Sequence, residues 1–224
     1  MHAEVLLACV AVVALVALYG RDAARQKWDR GQFFADCLHL FERYRVEQEG
    51  NSYPSLRGTY RGRTVQLEPI IDHLAWRKLP VLWLQVTVPQ PTRFRGVLDF
   101  MARATGAEYF SHIYNLQHRL ELPAAWPQEA ILYSDDPEGL MPLEALHPHL
   151  ALLSDTKLKE LVVSPHGARL VWRVDEASRA HYASFREIRF ASTLLQQAVA
   201  RQVLDAAIAL ADTVSVEEPQ RKVA

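Results

Sequence analysis

The chain opens with an unbroken apolar run and changes to alternating patterns after it. Residues 5–19 read VLLACVAVVALVALY without a charge. Alanine, valine and leucine fall on every side of a helix drawn through them, so there is no polar stripe for a soluble surface. Such a helix covers ~22–25 Å against a hydrocarbon core of ~30 Å. Slight bilayer thinning, or snorkelling of Arg21 and Arg25, closes that gap. Residues 1–20 are therefore expected to be an uncleaved transmembrane anchor. A cleaved signal peptide fits less well. No Lys or Arg precedes the run, and Leu15 or Leu18 would stand where a small residue is wanted before the cut. A buried core helix is the remaining alternative and fits less well, because no polar stripe marks a solvent-facing side. After the run come Arg21, Arg25, Lys27 and Arg30, with only Glu4 before it. Lys and Arg mark the cytoplasmic side, which predicts an inner (cytoplasmic) membrane protein with its C-terminal domain in the cytoplasm.

Residues 21–50 are expected to form an amphipathic juxtamembrane helix, with Phe34, Cys37 or Leu38, and Phe41 at helical spacing and Gly31 as its weak point. Period-2 patterns begin after the 50–55 linker. Residues 55–70 read as a hairpin with Gly62 in the turn, and 80–88 (PVLWLQVTV) as a central strand ended by Pro89 and Pro91. Residues 94–105 suggest a short helix closed by Gly106. Strands are expected over 108–113, 118–122 and 130–133, and a helix over 142–153 with Pro148 kinking it. Residues 158–163 and 168–174 make a second hairpin around Pro165-His166-Gly167. The fold class is α+β: an N-terminal transmembrane helix, then a 51–216 domain of antiparallel strands with packed helices and a long C-terminal helix. A flexible tail is expected at 217–224.

That last helix, over 177–213, would be ~50 Å long. Phe185, Ile188, Ser192, Leu195, Val199, Ala206 and Leu210 are placed on one face. Its second half, marked by Val199 and Leu210, extends past the ~20 Å that short strands cover. Either residues 34–41 fold back over it or a second chain does, giving at most a weak homo-oligomer because Ser192 and Gln202 interrupt the seam.

Charge adds one distinction. The net charge is −1, which argues against a nucleic-acid partner. Residues 51–103 hold eight basic and three acidic residues, whereas 121–160 hold two basic and eight acidic. Arg57, Arg61 and Arg63 cluster on the first hairpin and are expected to be a surface contact, for anionic lipid headgroups or an acidic protein partner.

Catalytic chemistry is sparse in the sequence. There is no phosphate-binding Gly-rich loop, His-Glu-x-x-His or Gly-x-Ser-x-Gly. Two cysteines, Cys9 and Cys37, make no disulfide framework. His147 and His149 flank a proline and diverge, Ser164 and His166 straddle one with Asp175 distant, and Asp135-Asp136 reads as a solvated turn. No catalytic residue, cofactor or metal is expected.

The order of a short N-terminal span, the GTYRGRTV hairpin at 58–65, the Ser134-Asp135-Asp136-Pro137 turn, a helix and a closing strand pair resembles bacterial single-pass membrane-anchored proteins without an assigned activity. The resemblance covers about residues 55–175 and brings no known activity to carry over. The expected function is a membrane-tethered binding or assembly module without catalytic activity. The alternatives are an enzyme, a hydrolase for example, with an unrecognised site, and a cleaved, exported domain.

Overall fold

The computed structural model describes residues 2–72, 79–177, 190–192 and 194–216, with the side chains described from Val12 onward. It is an α+β fold built on one nine-stranded antiparallel sheet. Helix α1 (His2–Gly31) leads into a turn and strand β1 (Arg43–Glu47). Next come β2 (Ser55–Tyr60), β3 (Arg63–Asp72), β4 (Val81–Pro89) and β5 (Leu98–Met101). β6 (His118–Arg119) and β7 (Ile131–Ser134) precede a 3-10 helix (Leu143–His149) that continues into the one-turn α2 (Leu150–Leu153). β8 (Leu158–Ser164), β9 (Gly167–Glu176) and α3 (Gln197–Val214) complete the fold. The strand order is β1-β2-β3-β4-β9-β8-β5-β7-β6.

Alternation along β4 shows why the sheet has two unlike faces. Leu82, Leu84, Val86 and Val88 are fully buried on one side, whereas Gln85 and Thr87 are half-buried on the other. β9 continues the pattern with Ala168, Leu170 and Trp172 against Arg169 and Arg173. The apolar face receives α3 through Ala200, Val203, Leu204, Ala207, Leu210, Ala211 and Val214. Phe33, Phe34, Cys37 and Phe41 join the same core. The polar face is open over β1 and β2 and partly covered from β3 and β4 onward by residues 103–117, where Phe110 packs 6.3 Å from Trp83 and the Tyr109 hydroxyl donates to the Ile71 carbonyl.

Both hairpins form where local turn chemistry predicts them. Arg61 and Gly62 carry φ values of 50° and 73°, which give the right-handed strand twist a two-residue loop. Gly167 has φ of 150°, and a Cβ there would lie 2.3 Å from the Val88 carbonyl, so no larger residue closes the second hairpin in place.

Four expectations on elements are corrected. Residues 21–50 are α-helical only to Gly31, a single 3-10 turn follows at Leu38–Leu40, and 43–47 is an edge strand. Residues 94–105 hold β5, whose four residues are all buried between β7 and β8, so the alternation that marks a strand is lost. Residues 108–113 form no strand. The C-terminal helix begins at Gln197, and residues 190–192 and 194–196 are not helical. Phe185 and Ile188 lie outside the described residues. Among the described residues no helix is long and apolar enough to cross a membrane. The side chains of the first half of the 5–19 run, which carried that expectation, are outside this description.

Candidate functional site

The three hairpin arginines part company in the structure. Arg57 lies mid-strand on β2, exposed on the open face. Arg61 and Arg63 turn back toward α3. Arg61 lies 5.3 Å over the Tyr60 ring and pairs with Asp205 at 3.0 Å. Arg63 bonds Asp212 at 2.8 Å, and the Tyr60 hydroxyl donates to Asp205 at 2.8 Å. Burial, and then this bond to Asp205, push the Tyr60 hydroxyl above its ordinary value. Both arginines are therefore drawn into partly exposed ion pairs that join hairpin to helix, each worth about 0.2–1 kcal/mol. The partners lie 140 or more residues away; the one signal for them is the seven-residue spacing of Asp205 and Asp212, which puts both on one side of a helix. Leu210 is fully buried against the sheet, and Val199 is half-buried beside the core. The second half of the helix is thus covered by the chain's own sheet. The 33–41 segment instead meets its N-terminal end, where the Phe33 carbonyl accepts from Leu195 N–H and Asp36 accepts from Gln197 N–H.

The open face holds charges that the sequence pattern hides. Strand register carries one row across it, from Arg45 and Arg57 at the β1 edge through Thr87 and Arg169 to Asp99 and Arg119. Asp99 on β5 and Glu160 on β8 are 2% and 0% exposed. Arg169 donates to Glu160 at 3.2 Å. Asp99 Oδ1, Glu160 Oε1 and Arg169 Nε are buried without a hydrogen-bond partner. Burial, and then the nearby Glu160 charge, push the Asp99 carboxyl up to about 8, with Arg169 opposing. Burial pushes the Glu160 carboxyl up as well, against the pull of Arg169.

Beside this pair, Lys159 bonds Glu108 at 2.6 Å and the carbonyls of Ala102 and Arg103. Burial alone would raise the Glu108 carboxyl, but the bonds from Lys159 and Thr105 outweigh it and hold it at about 2. This buried ion pair ties the 103–117 covering segment to β8. With two like carboxyls beside one guanidinium, repulsion and burial together favour the neutral acid on Asp99.

The remaining candidates do not converge. His149 bonds the Thr213 hydroxyl at 2.8 Å, whereas His147 is exposed. Ser164 accepts from His166 N–H within the turn, and Asp175 lies eight residues along β9 from Gly167, ~26 Å away. Asp135 accepts from Val97 N–H at 2.6 Å, which fixes the turn against the start of β5.

No protein-family model and no curated protein matches the chain. Among solved structures the chain is similar to the mycobacterial trehalose monomycolate transport factor A, TtfA. Identity is 11% over 68% of this chain and 70% of that one, with a TM-score of 0.33, too low to support an argument.

Proposed function

We propose that this chain is a membrane-tethered binding or assembly module without catalytic activity, anchored by α1 with its C-terminal domain in the cytoplasm. The observation that carries the reading is the state of α1. Val12, Val13, Leu15, Val16, Leu18 and Tyr19 are 58–78% exposed on it. At 100° per residue these positions span about 220° of the helix, and Ala14 and Ala17, exposed as well, occupy the remaining side. A protein groove would cover one stripe of such a helix; a bilayer covers every side. The basic residues Arg21, Arg25, Lys27 and Arg30 support the cytoplasmic orientation. The open polar face of the sheet supports the binding role. Asp99 and Glu160, two buried carboxyls with raised pKa among the described residues, are closed from solvent, which speaks against catalysis through them.

The test fuses a fluorescent protein after Ala224 and washes the membranes with alkaline carbonate. A fluorescent fusion retained in the washed membranes is expected. Release by carbonate, or a reporter that works only when exported, would overturn the reading.

A further inference from the structure

We propose that edge strand β1 is the docking site for an acidic, extended segment of a partner protein, which joins the sheet as an added strand. The inference rests on the binding-module reading and names the chemistry of the partner.

Among the described residues β1 pairs only with β2, and all five of its residues are exposed. Its register sets Glu47 against Ser55, and the Glu47 carbonyl accepts from the Ser55 hydroxyl, so Glu47 turns its main chain toward β2. By alternation Arg43 and Arg45 do the same, which leaves the N–H and C=O groups of Tyr44 and Val46 pointing away from the sheet. An edge of this kind is a template for another strand.

The side chains specify which strand. Tyr44 and Val46, 52% and 38% exposed, share the face that carries Leu56 and the core. Arg43 and Arg45 lie on the opposite face, with Arg45 directly across from Arg57. Like charges set directly opposite destabilise a sheet, and Glu47 beside Arg45 offsets only one of them. Among the described residues neither Arg43 nor Arg57 is ion-paired. The matching strand therefore alternates: carboxylates against Arg43, Arg45 and Arg57, β-branched or aromatic residues beside Tyr44 and Val46.

A second copy of this chain fits poorly. Two-fold pairing that sets Tyr44 against Val46 would place Arg45 on Arg45 and crowd six guanidinium groups around two Glu47 carboxylates. An anionic lipid surface would neutralise the arginines but leave the outward main-chain groups of Tyr44 and Val46 unpaired. The 48–52 loop after β1 is bonded to the last turn of α1, so a docked strand would lie beside the anchor's end.

The test uses the full-length chain in detergent micelles and a fluorescein-labelled peptide of about eight alternating Glu and Val residues. The control peptide has the same composition with Glu and Val in separate blocks. Fluorescence anisotropy should show the alternating peptide binding at least about tenfold more tightly, and Arg45→Glu with Arg57→Glu should remove about tenfold or more. Val46→Pro, which deletes an outward N–H, should abolish binding with the thermal midpoint retained. Equal binding of both peptides, or unchanged binding by Val46→Pro, overturns strand addition. Vesicles of anionic phospholipid that bind the wild type but not the double arginine variant, with no discrimination between peptides, would assign the arginines to lipid and overturn the proposal too. No bilayer enters the peptide assay. A fusion lost from carbonate-washed membranes would thus remove the tether alone, and failed peptide discrimination would remove the strand alone.

Discussion

Asp99 is the residue whose environment departs furthest from what its neighbours in sequence suggest. It stands in an apolar stretch, GVLDFM, that reads as part of an amphipathic helix, and it turns out to be buried beside Glu160. No local signal reports this, because Glu160 and Arg169 come to it from strands 60 or more residues later. The consequence is a pH dependence with a definite sign. An aspartate in the unfolded chain titrates near ~3.9. In the folded chain burial and Glu160 raise the Asp99 carboxyl to about 8. Between these values the folded state holds a proton that the unfolded state has lost. The stabilisation is full below the unfolded value and is lost as pH rises through the folded one. Asp99→Asn keeps the shape and cannot ionise. Its thermal midpoint, followed by circular dichroism from about pH 5 to about pH 9, should vary less than the wild type's and exceed it at the alkaline end. A variant with the wild-type slope would show that another group sets the dependence.

At the scale of elements, legibility follows the locality of the signal. The β2–β3 and β8–β9 hairpins were readable because turn residues and alternation lie within one short stretch. β1 and β5 were not, because one is exposed at every position and the other buried at every position, and neither alternates. α3 was readable as a helix but its face was partly misplaced. Ala200, Ala207 and Ala211 belong to the buried stripe, and alanine is neutral in a hydrophobic pattern, whereas the more apolar Val199 tilts the pattern toward the flank. Small residues there let the helix approach the sheet closely. Leu210 is the one residue shared by the expected and observed faces. Its burial makes it a folding residue, so Leu210→Ala should lower stability by about 2–5 kcal/mol in chemical denaturation with no change in molecular mass. A change in mass with stability intact would return Leu210 to the role of chain–chain contact.

For the whole molecule, the question is how the sheet is held relative to α1. The candidate interaction site was only partly legible at this scale: the basic cluster was visible, but its division between α3 and the open face depended on tertiary contacts. The junction with α1 is small and specific. Gln48 donates to the Lys27 carbonyl at 3.0 Å and to the Ser52 carbonyl at 2.9 Å, and Arg30 donates to the Asn51 carbonyl at 2.7 Å while lying 5.5 Å over the Tyr53 ring. Gly31 admits this contact, since a Cβ there would stand 3.0 Å from Gln48 Oε1. These bonds are exposed and contribute little to folding, yet they fix the direction in which the helix leaves the domain, and with it the position of the β1 edge. Spin labels at Tyr19 and Thr64 test the idea. Cys9→Ala removes one background thiol, and burial, then the Asp36 charge, push the Cys37 thiol up to about 12, which leaves it unreactive. The distance distribution should be narrow with the junction intact and broad in Arg30→Ala with Gln48→Ala, while unfolding stability changes by no more than about 0.5 kcal/mol. An equally broad distribution with the junction intact would show that the helix swings freely and that the β1 edge has no fixed station beside it.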